Sequence, residues 1–523
     1  MTLSRTTWRI QGKEQHCCRL DATLQSMSLA NALPIYPTAD VRRIEGLAGA
    51  QTPSLMERAG LAAAELARDR LLGTGRSVLV LAGPGNNGGD GFVLARHLRA
   101  WWYRVTVVFT GERAKLSDDA GAAHDAWVAG GGTIDTEVPD RDFDLVVDAL
   151  FGIGLERDLT GRYLDLLEYI DSQPAPVLAI DIPSGLHADS GRVLGHAVRA
   201  DHTITFIALK PGLLTLDGPD CCGELHVHNL GLAVEALLSA PGQTVGSQVL
   251  AQVLKPRALN THKGSFGSVG VIGGATGTTG AALLAGRAAL KLGSGRVYVG
   301  FLGSDAPRLD LWQPELMLRT ASEVLAMGGL TSVVLGPGLS QSIAASDAVK
   351  QALQMPLPIV VDADALNLLG AHTELQDLCA IRDAPTILTP HPAEAARLLR
   401  IDTARVQADR VRTARDCAAR FHAHVALKGV GTVIAQPDGR FAINTSGNPG
   451  LASAGMGDAL CGILAALLAQ GAPAAQATAA AVWLHGHGAD RVRAQAGGPL
   501  GMTASEVIDA ARAALNAAVY PNG

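Results

Sequence analysis

Short apolar runs alternate with helical stretches along most of this chain, and this alternation restricts its fold more than any other feature of the sequence. Near-continuous apolar strands joined by helices are typical of a parallel sheet that is covered on both faces. We therefore predict an α/β fold whose first half is a Rossmann-like parallel-sheet domain. Its expected strands are SVLVLAG (77–83), RVTVVFT (104–110), DLVVDAL (144–150), PVLAIDI (176–182), HTITFI (202–207) and ELHVHNL (224–230).

A weakly structured stretch, SAPGQTVGSQVLAQVLKPRALNTHKGSFG, separates this series from a second one, which begins at SVGVIGG. A chain of 523 residues is too long for one hydrophobic core, so we expect two α/β domains. The further strands predicted in the second domain are VYVGF, TSVVLGPG, PIVVDADAL, PTILTP, HVALKG and GTVIAQ. We divide the chain into an N-terminal extension (1–35), a first domain (36–238), a linker region (239–259) and a second domain (260–523).

Charge and cysteine content limit the partners and the compartment. The net charge of -6 gives no basic surface for nucleic acid, and seven cysteines without metal-ligand spacing favour reduced thiols. The apolar stretch ALCGILAALLAQGAPAAQATAAAVWLHG is broken by Gln-Gly-Ala-Pro, which predicts two buried helices instead of a membrane span. Residues 1–21 lack the apolar region of a signal peptide. We expect a cytoplasmic protein without nucleic-acid or membrane partners, whose Ala/Leu-rich helices pack between subunits of a homo-oligomer.

The loop GPGNNGGDG (83–91) follows the first strand and fits the pattern G-x-G-x-x-G. This pattern is typical of a dinucleotide-binding loop, and Glu112 stands where such a domain places its ribose ligand. This pattern alone is weak evidence for a dinucleotide-binding loop, however. The two asparagines and Asp90 also give the loop more polar side chains than phosphate binding needs.

Asp148 and Asp181 end two further strands of the same predicted sheet. In an open α/β sheet, the carboxyl ends of the strands line one crevice where ligands bind. Asn87, Asp148 and Ser184 therefore form a candidate set of hard oxygen ligands for a weakly held cation. The alternative is that the aspartates only cap helices or turns.

Four motifs in this order, GPGNNGGDG, DALFGIGLERDLTG, AIDIPSGLHADSG and TITFIALKPGLL, resemble the N-terminal domain of NAD(P)H-hydrate epimerases, the YjeF amino-terminal family. The resemblance extends from about residue 37 to about residue 235. It implies that the substrates are the hydrates of NADH and NADPH (NADHX and NADPHX), and that K⁺ is held by Asn87, Asp148 and Ser184. The implied substrate contacts are Asn86, Asn87, Gly88, Gly89, Asp90, Gly152, Ile153, Gly154, Leu155, Glu156, Arg157, Asp158 and Asp181.

Epimerisation of such a hydrate needs proton transfer at a hydroxyl oxygen on a ring carbon next to nitrogen. A carboxylate beside a cation at a strand end can be tuned for this transfer. We assign the acid/base role to Asp181, with Asp90 as the alternative.

In the second half, the run GNPGLASAGMGDALCGILAALL (447–468) places Gly455-Met456-Gly457-Asp458 before a long helical segment. Glycines that open a helix present N–H groups to an anion, and an aspartate there can take a proton from a hydroxyl. The alternative is an ordinary helix-capping aspartate. Lys428 stands at the end of another strand, in LKGVGT (427–432).

The motifs THKGSFGSVGVIGG, TGTTGAALLAGRAALKLGSG, LGPGL, DADAL and TPHPAE accompany this loop, and together they resemble the ribokinase-like domain of NAD(P)H-hydrate dehydratases from about residue 255 onwards. Met456 and Ala393 depart from the family pattern, which has Ser or Thr and Gly there. The resemblance implies hydrate contacts at Ala281, Gly338, His391 and Asp458, although His391 also fits a residue packed rigidly between two prolines. It implies nucleotide contacts at Lys428, Gly429, Val430, Gly431, Thr432 and Gly457.

Together the two resemblances imply a bifunctional repair enzyme. The first domain would epimerise the R and S hydrates, and the second would dehydrate the S hydrate to NAD(P)H with ADP as phosphoryl donor, releasing AMP and phosphate. Asp458 would take the hydroxyl proton, and Mg²⁺ is expected for the phosphoryl step. The alternatives are a ribokinase-like small-molecule kinase with a non-catalytic N-terminal binding domain, a scaffolding role for that domain, and a plain dehydrogenase.

Overall fold

The structure, a computed structural model, describes residues 32–521, so most of the predicted N-terminal extension lies outside the described residues. A seven-stranded sheet forms the centre of the first half, with strand order β4-β3-β2-β5-β6-β7-β8 and every neighbouring pair parallel. The predicted parallel sheet and its six predicted strands are confirmed. The strands are β2 (Ser77–Ala82), β3 (Arg104–Phe109), β4 (Ile134–Asp135), β5 (Leu145–Ala149), β6 (Val177–Ile180), β7 (His202–Phe206) and β8 (Glu224–His228).

Helices cover both faces of this sheet, because successive side chains of a strand point to opposite faces and most of those in the strand centres are apolar. Val78 and Val80 of β2 belong to one core cluster, and Leu79 and Leu81 belong to the cluster on the other face. The helices of this half are α1 (Thr38–Ala48), α2 (Leu55–Leu66), α3 (Asn86–Ala100), α4 (Asp118–Ala129), α5 (Arg162–Ser172), α6 (Pro211–Leu214), α7 (Gly218–Cys222) and α8 (Val234–Leu237).

The second half is built on an eleven-stranded sheet of order β1-β9-β18-β17-β16-β15-β14-β13-β10-β11-β12. The part from β16 to β12 is parallel throughout, whereas β17 is antiparallel to both of its neighbours. The strands are β1 (Pro34–Ile35), β9 (Gly242–Thr244), β10 (Ser268–Gly273), β11 (Arg296–Phe301), β12 (Met317–Thr320), β13 (Ser332–Leu335), β14 (Ile359–Val361), β15 (Thr386–Leu388), β16 (His424–Leu427), β17 (Thr432–Ala435) and β18 (Phe441–Asn444).

The long apolar stretch near the C-terminus forms two separate buried helices, α18 (Met456–Ala469) and α19 (Ala474–Ala496), as predicted. Between residues 32 and 521, no helix is long and apolar enough to cross a membrane. The helices that pack on the second sheet are α9 (Leu250–Val253), α10 (Thr279–Lys291), α11 (Ala321–Leu325), α12 (Ile343–Leu353), α13 (Ala363–Ala371), α14 (Thr373–Ala380), α15 (Pro392–Leu399), α16 (Thr403–Ala408), α17 (Arg410–Phe421), α18 (Met456–Ala469), α19 (Ala474–Ala496) and α20 (Ala504–Val519).

Two short strands tie the halves together. Strand β1 pairs antiparallel with β9, and β9 pairs parallel with β18 of the second half. Residues next to β1 enter the first half, where the Tyr36 N–H donates to the carbonyl oxygen of Leu209 at 3.0 Å. The predicted extension and linker thus supply strands to the edge of the second sheet. The domain limits given above stay a prediction.

We expect truncation of Leu81 to destabilise the first half strongly, since this side chain is fully buried. Leu81→Ala should lower the free energy of unfolding by about 2–5 kcal/mol, as cavities in packed cores do. Denaturant unfolding followed by circular dichroism measures the change. The matched control is Leu47→Ala, whose side chain is 51% exposed, and it should change stability by less than about 0.5 kcal/mol. Equal losses in the two variants would contradict the assignment of this core.

Candidate active sites

The glycine-rich loop after β2 packs directly on the end of β5. A Cβ atom on Gly83 would overlap the carbonyl oxygen of Leu150, and one on Gly88 would overlap the carbonyl oxygen of Gly83. Only glycine permits such close backbone approach. Helix α3 therefore begins at Asn86 against the sheet edge, and its first turn faces the ends of β5 and β6.

The first site brings three of the predicted segments together. A Cβ atom built on Gly152 would lie 3.3 Å from Asn87 Oδ1 and 3.1 Å from Asp181 Oδ2, so these two side chains meet at Gly152. Asn87 is buried, and within the described residues neither polar atom of its amide has a hydrogen-bond partner. Because a buried amide without partners is costly, this arrangement fits an amide that is satisfied by a ligand or a cation.

Asp148 and Ser184, the other two residues predicted to hold a cation, are in direct contact with each other. Asp148 is fully buried and accepts hydrogen bonds from the Ser184 backbone N–H at 2.7 Å and from the Ser184 hydroxyl at 2.6 Å. Burial raises the pKa of Asp148 to about 6, although these hydrogen bonds oppose the rise. The buried carboxyl and the hydroxyl give this pair the oxygen atoms that hard cations prefer.

Asp181 is held by a lysine that the sequence analysis left without a role. Lys210 is 1% exposed, and its Nζ lies 2.6 Å from Asp181 Oδ1 and 2.8 Å from Thr205 Oγ1 and from the carbonyl oxygen of Phe206. Asp181 itself has a φ of 65° in the left-handed region. Backbone strain of this kind is found at functional sites, where the surrounding contacts enforce it.

Two further carboxyl groups face this ion pair. Desolvation, together with the nearby charges of Asp181 and Glu45, raises the pKa of Asp90 well above its usual value. Desolvation and Asp181 also raise the pKa of Glu45. Carboxyl groups whose pKa is raised by burial and by a neighbouring charge are typical of sites of acid–base chemistry.

The remaining residues predicted for the first site differ in their surroundings. Gly154 lies near Arg42, whose Nη2 is 3.7 Å from the Gly154 Cβ position, and the side chain of Glu156 points to His187 at 3.4 Å. The side chain of Leu155 is buried in the core cluster beneath the loop. Asn86 is exposed and accepts a hydrogen bond from the Ser117 hydroxyl at 2.6 Å.

The second site centres on another lysine–aspartate pair. Lys428 Nζ lies 2.6 Å from Asp362 Oδ1 and 3.8 Å from Glu394 Oε2. Although burial opposes its charge, the Lys428 ammonium holds the pKa of Asp362 below its usual value. The Cβ position of Gly457 lies 3.3 Å from Asp362 Oδ2, so the N-terminus of α18 meets this pair.

Asp458 follows in the first turn of α18 and is half-buried. Desolvation and the Asp362 charge raise its pKa to about 6, and Lys428 opposes the rise. Desolvation likewise raises the pKa of Glu394 to about 7. Carboxyls tuned to this range exchange protons readily near neutral pH.

His391 caps helix α15 and is not merely packed between prolines. Its Nδ1 accepts a hydrogen bond from the Ala393 N–H at 3.1 Å, and its own backbone N–H donates to Glu394 Oε2 at 2.7 Å. About half of the His391 side chain stays exposed, with 49% relative accessibility. The capping bonds therefore fix a ring that remains open to the cleft.

The other predicted dehydratase contacts lie on two touching loops. The Thr278 hydroxyl donates to the carbonyl oxygen of Gly338 at 2.8 Å, and Ala281 lies one turn further on, in α10. A Cβ atom on Gly336 would overlap the carbonyl oxygen of Asp362, which joins these loops to the lysine–aspartate pair.

The sequence analysis did not assign a role to several residues of the two sites. Lys210 in the first site and Asp362, Glu394 and Cys461 in the second stand in motifs quoted above, whereas Glu45 of the first site stands outside them. The Cys461 thiol donates to Asp362 Oδ2 at 3.2 Å. Lysine is scarce in this chain, and this scarcity is a sequence signal that draws attention to Lys210, Lys263 and Lys428 alike.

Comparison with known proteins matches each half to a family model. The model described as YjeF-related protein N-terminus matches residues 52–212, and the model described as NAD(P)H-hydrate dehydratase matches residues 269–512. Among solved structures, the ADP/ATP-dependent NAD(P)H-hydrate dehydratase from Bacillus subtilis, co-crystallised with ATP/Mg²⁺, is 29% identical with a TM-score of 0.44, covering 51% of this chain and 95% of that chain.

Curated relatives align along nearly the whole chain. The bifunctional NAD(P)H-hydrate repair enzyme Nnr of Escherichia coli (strain K12) is 38% identical over 512 residues, which are 95% of this chain and 96% of that protein. The bifunctional NAD(P)H-hydrate repair enzyme of Leishmania braziliensis is 40% identical over 505 residues, which are 89% and 90% of the two chains.

The fold and the geometry define a two-domain α/β enzyme with a separate lysine–aspartate site at the strand ends of each domain. With the whole-length relatives, the family follows: this chain belongs to the bifunctional NAD(P)H-hydrate repair enzymes. The resemblance drawn from the motifs is thereby confirmed.

We expect loss of the Asp362 carboxylate to destabilise the second domain, because Lys428 would keep a charge without its main partner. Asp362→Asn should lower the free energy of unfolding by about 3–5 kcal/mol, as breaking a buried ion pair does. Chemical denaturation measures it. The control Asp438→Asn removes an exposed pair with Arg440 and should cost at most about 1 kcal/mol. A change no larger than the control would show that Lys428 does not depend on Asp362.

Proposed function

We propose that this chain repairs hydrated NADH and NADPH, with each domain catalysing one step. The first domain interconverts the R and S hydrates, and the second dehydrates the S hydrate with ADP as phosphoryl donor, which releases AMP and phosphate. The observation that carries the proposal is that each domain of this family member assembles its own desolvated lysine–aspartate site with a neighbouring carboxyl of raised pKa. These are Asp181–Lys210 with Asp90, and Asp362–Lys428 with Asp458.

In the first site, Asp90 and Asp181 act as a pair with opposite tasks. The hydrate carries its hydroxyl on a carbon bonded to the ring nitrogen. Asp90, with its raised pKa, donates a proton so that the hydroxyl leaves as water while the nitrogen lone pair forms a C=N bond. Water then adds from the other face and gives its proton to Asp181, whose charge is balanced by Lys210. Transfer of that proton back to Asp90 restores the starting state.

A potassium ion fits the residues beside this pair. Asn87 Oδ1 is buried without a partner among the described residues, and the Asp148 carboxyl and the Ser184 hydroxyl would supply further oxygen ligands. When bound, K⁺ would offset the Asp148 charge and orient the amide of Asn87 toward the substrate. The substrate itself would contact Asn86 to Asp90, Gly152 to Asp158 and Asp181.

In the second site, Asp458 is the base. It accepts the proton of the hydrate hydroxyl as that oxygen bonds to the terminal phosphorus of ADP and AMP leaves. The ring nitrogen then expels the phosphate, and loss of a proton from the neighbouring ring carbon restores the dihydropyridine. His391, Gly338 and Ala281 would hold the hydrate.

The nucleotide lies on glycine-rich backbone in this proposal. Its contacts are Lys428, Gly429, Val430, Gly431, Thr432 and Gly457. A Mg²⁺ ion, which phosphoryl transfer generally uses, is usually held by one or two carboxylates together with the phosphates of the nucleotide. Glu394 and Asp362 are the carboxylates available for it beside Lys428. Action in the cytoplasm as a homo-oligomer, without nucleic-acid or membrane partners, stays a prediction from the sequence.

The test is reaction of the purified chain with mixed NADH hydrates, ADP, Mg²⁺ and K⁺, followed by the nicotinamide absorbance. We expect complete recovery for the native chain, a stop near half for Asp181→Asn, and none for Asp458→Asn, since each variant removes the base of one domain. Asp438→Asn, an exposed position, is the control and should recover fully. A phosphorylated product that accumulates would instead favour a small-molecule kinase, and no recovery with ADP or ATP would contradict the dehydratase.

The dehydration rate should depend on pH through Asp458. Its pKa is raised to about 6, so the carboxylate that accepts the proton is populated above this pH and lost below it. We expect kcat of the dehydratase to fall about tenfold per pH unit below pH 6, because only the ionised fraction reacts. The pH profile is measured as initial rates with purified S hydrate from about pH 4.5 to about pH 8. This range spans the change of Asp458 from its protonated to its ionised form. A rate that stays level down to pH 5 would show that Asp458 is not the base.

A further inference from the structure

A buried arginine, Arg410, lies directly behind the glycine-rich loop 428–432. It is the first residue of helix α17 and only 2% exposed. Its Nη2 donates to the carbonyl oxygens of Leu427 at 3.2 Å and Lys428 at 3.1 Å, and its Nη1 donates to Gln407 Oε1 at 3.0 Å. The guanidinium therefore clamps two consecutive carbonyl groups of the loop.

The position is costly for a positive charge. Among residues 32–521, Arg410 forms no salt bridge, and its Nε is buried without an acceptor. Burial alone lowers its pKa, to about 10, so the guanidinium stays charged at neutral pH. The N-terminus of a helix is also the positive end of its dipole, which disfavours a cation. A charge kept in such surroundings calls for an anion that the protein alone does not supply.

The clamp determines where the loop amides point. In a planar trans peptide, the C=O and the following N–H point in opposite directions. Because the carbonyl of Lys428 points to Arg410, the N–H of Gly429 points away from the protein interior. The carbonyl of Leu427 also points to Arg410, and the opposite N–H, of Lys428, donates to Pro390 O at 2.8 Å.

Glycine is required at position 429 for this geometry. Its φ is 134°, and a Cβ atom there would lie 2.9 Å from the Arg410 guanidinium nitrogens. Val430, the next residue, is 55% exposed, so the side of the loop opposite Arg410 is the open one. The loop is also braced by the first domain, where the Leu216 N–H donates to the carbonyl oxygen of Val430 at 3.4 Å.

We propose that Arg410 is a positioning residue for the nucleotide of the second site. It fixes the carbonyls of Leu427 and Lys428 so that the Gly429 N–H is presented to a phosphate group, and the phosphate balances its buried charge. The inference rests on the proposed dehydratase function, because it assigns the loop to a nucleoside diphosphate or triphosphate. Arg410 does not touch the reacting atoms; it acts through the backbone of the loop.

Three variants test the role in the full-length chain. Arg410→Met removes the charge and the clamp but keeps most of the volume, and Arg410→Lys keeps the charge but cannot bridge two carbonyls in a fixed plane. Arg412→Met is the matched control, since Arg412 lies on the same helix with its side chain 79% exposed. Calorimetric titration with ADP and with ATP gives Kd, steady-state kinetics give KM and kcat, and circular dichroism verifies folding.

We expect Arg410→Met to raise the Kd for ADP at least about tenfold, as loss of charged hydrogen bonds does, and Arg410→Lys to raise it by a smaller factor. The nucleotide KM should rise in parallel while the KM for the hydrate stays unchanged, and Arg412→Met should match the native chain. A purely structural role would lower the active fraction and hence kcat, with the nucleotide KM unchanged.

The inference is overturned if Arg410→Met binds ADP within about twofold of the native Kd, because the loop would then hold the nucleotide without its bonds to Arg410. It is also overturned if kcat falls while the nucleotide KM stays constant, or if Arg412→Met loses as much affinity. If Arg410→Met does not fold, the comparison rests on Arg410→Lys, with the same criteria. Failure of the native chain to bind either nucleotide would contradict the proposed function itself, which separates the two failures.

Discussion

Each active site is organised around a lysine–aspartate ion pair that is largely removed from water. In the first domain the pair is Lys210 with Asp181, and in the second it is Lys428 with Asp362, both at 2.6 Å. A charge in such surroundings is costly unless a partner stands close by, so each lysine fixes where its aspartate can be. The pairs also act on the neighbouring carboxyls: desolvation and the charge of Asp181 raise the pKa of Asp90, and desolvation and the charge of Asp362 raise that of Asp458. In the proposed repair, Asp90 gives a proton to the hydroxyl of the hydrate in the first step, and Asp458 takes a proton from that hydroxyl in the second.

Backbone packing places these pairs. The parallel strands of both sheets end at one edge, and glycine residues let the loops that follow approach one another closely enough for side chains of different strands to meet. Gly83 packs on the end of β5 and Gly336 packs on the backbone of Asp362, where any larger residue would overlap a carbonyl oxygen. The chemistry of the sites thus depends on positions that carry no functional group.

The two domains are physically connected close to both sites. The segment that begins with Lys210 in the first site reaches Leu216, which bonds the loop of the second site at Val430. Strands β1 and β9 add a second connection at the edge of the larger sheet. The two steps of the proposed repair, epimerisation and then dehydration, thus belong to two sites whose supporting backbones are in contact.

The sequence by itself determined the fold class, thirteen of the strands, the family and the segments that form both sites, because apolar runs, glycine loops and acidic strand ends are local signals. It did not reveal the short strands β1, β4, β9, β12 and β18, since a few residues carry no periodicity and their pairing joins distant parts of the chain. Nor did it assign roles to Glu45, Asp362, Glu394 or Arg410. Only the tertiary structure decided which charges face each other, that Leu155 belongs to the core, and that His391 is a helix cap. The physical reason is that desolvation and ion pairing depend on distances between residues remote in sequence, such as the 2.6 Å between Lys428 and Asp362.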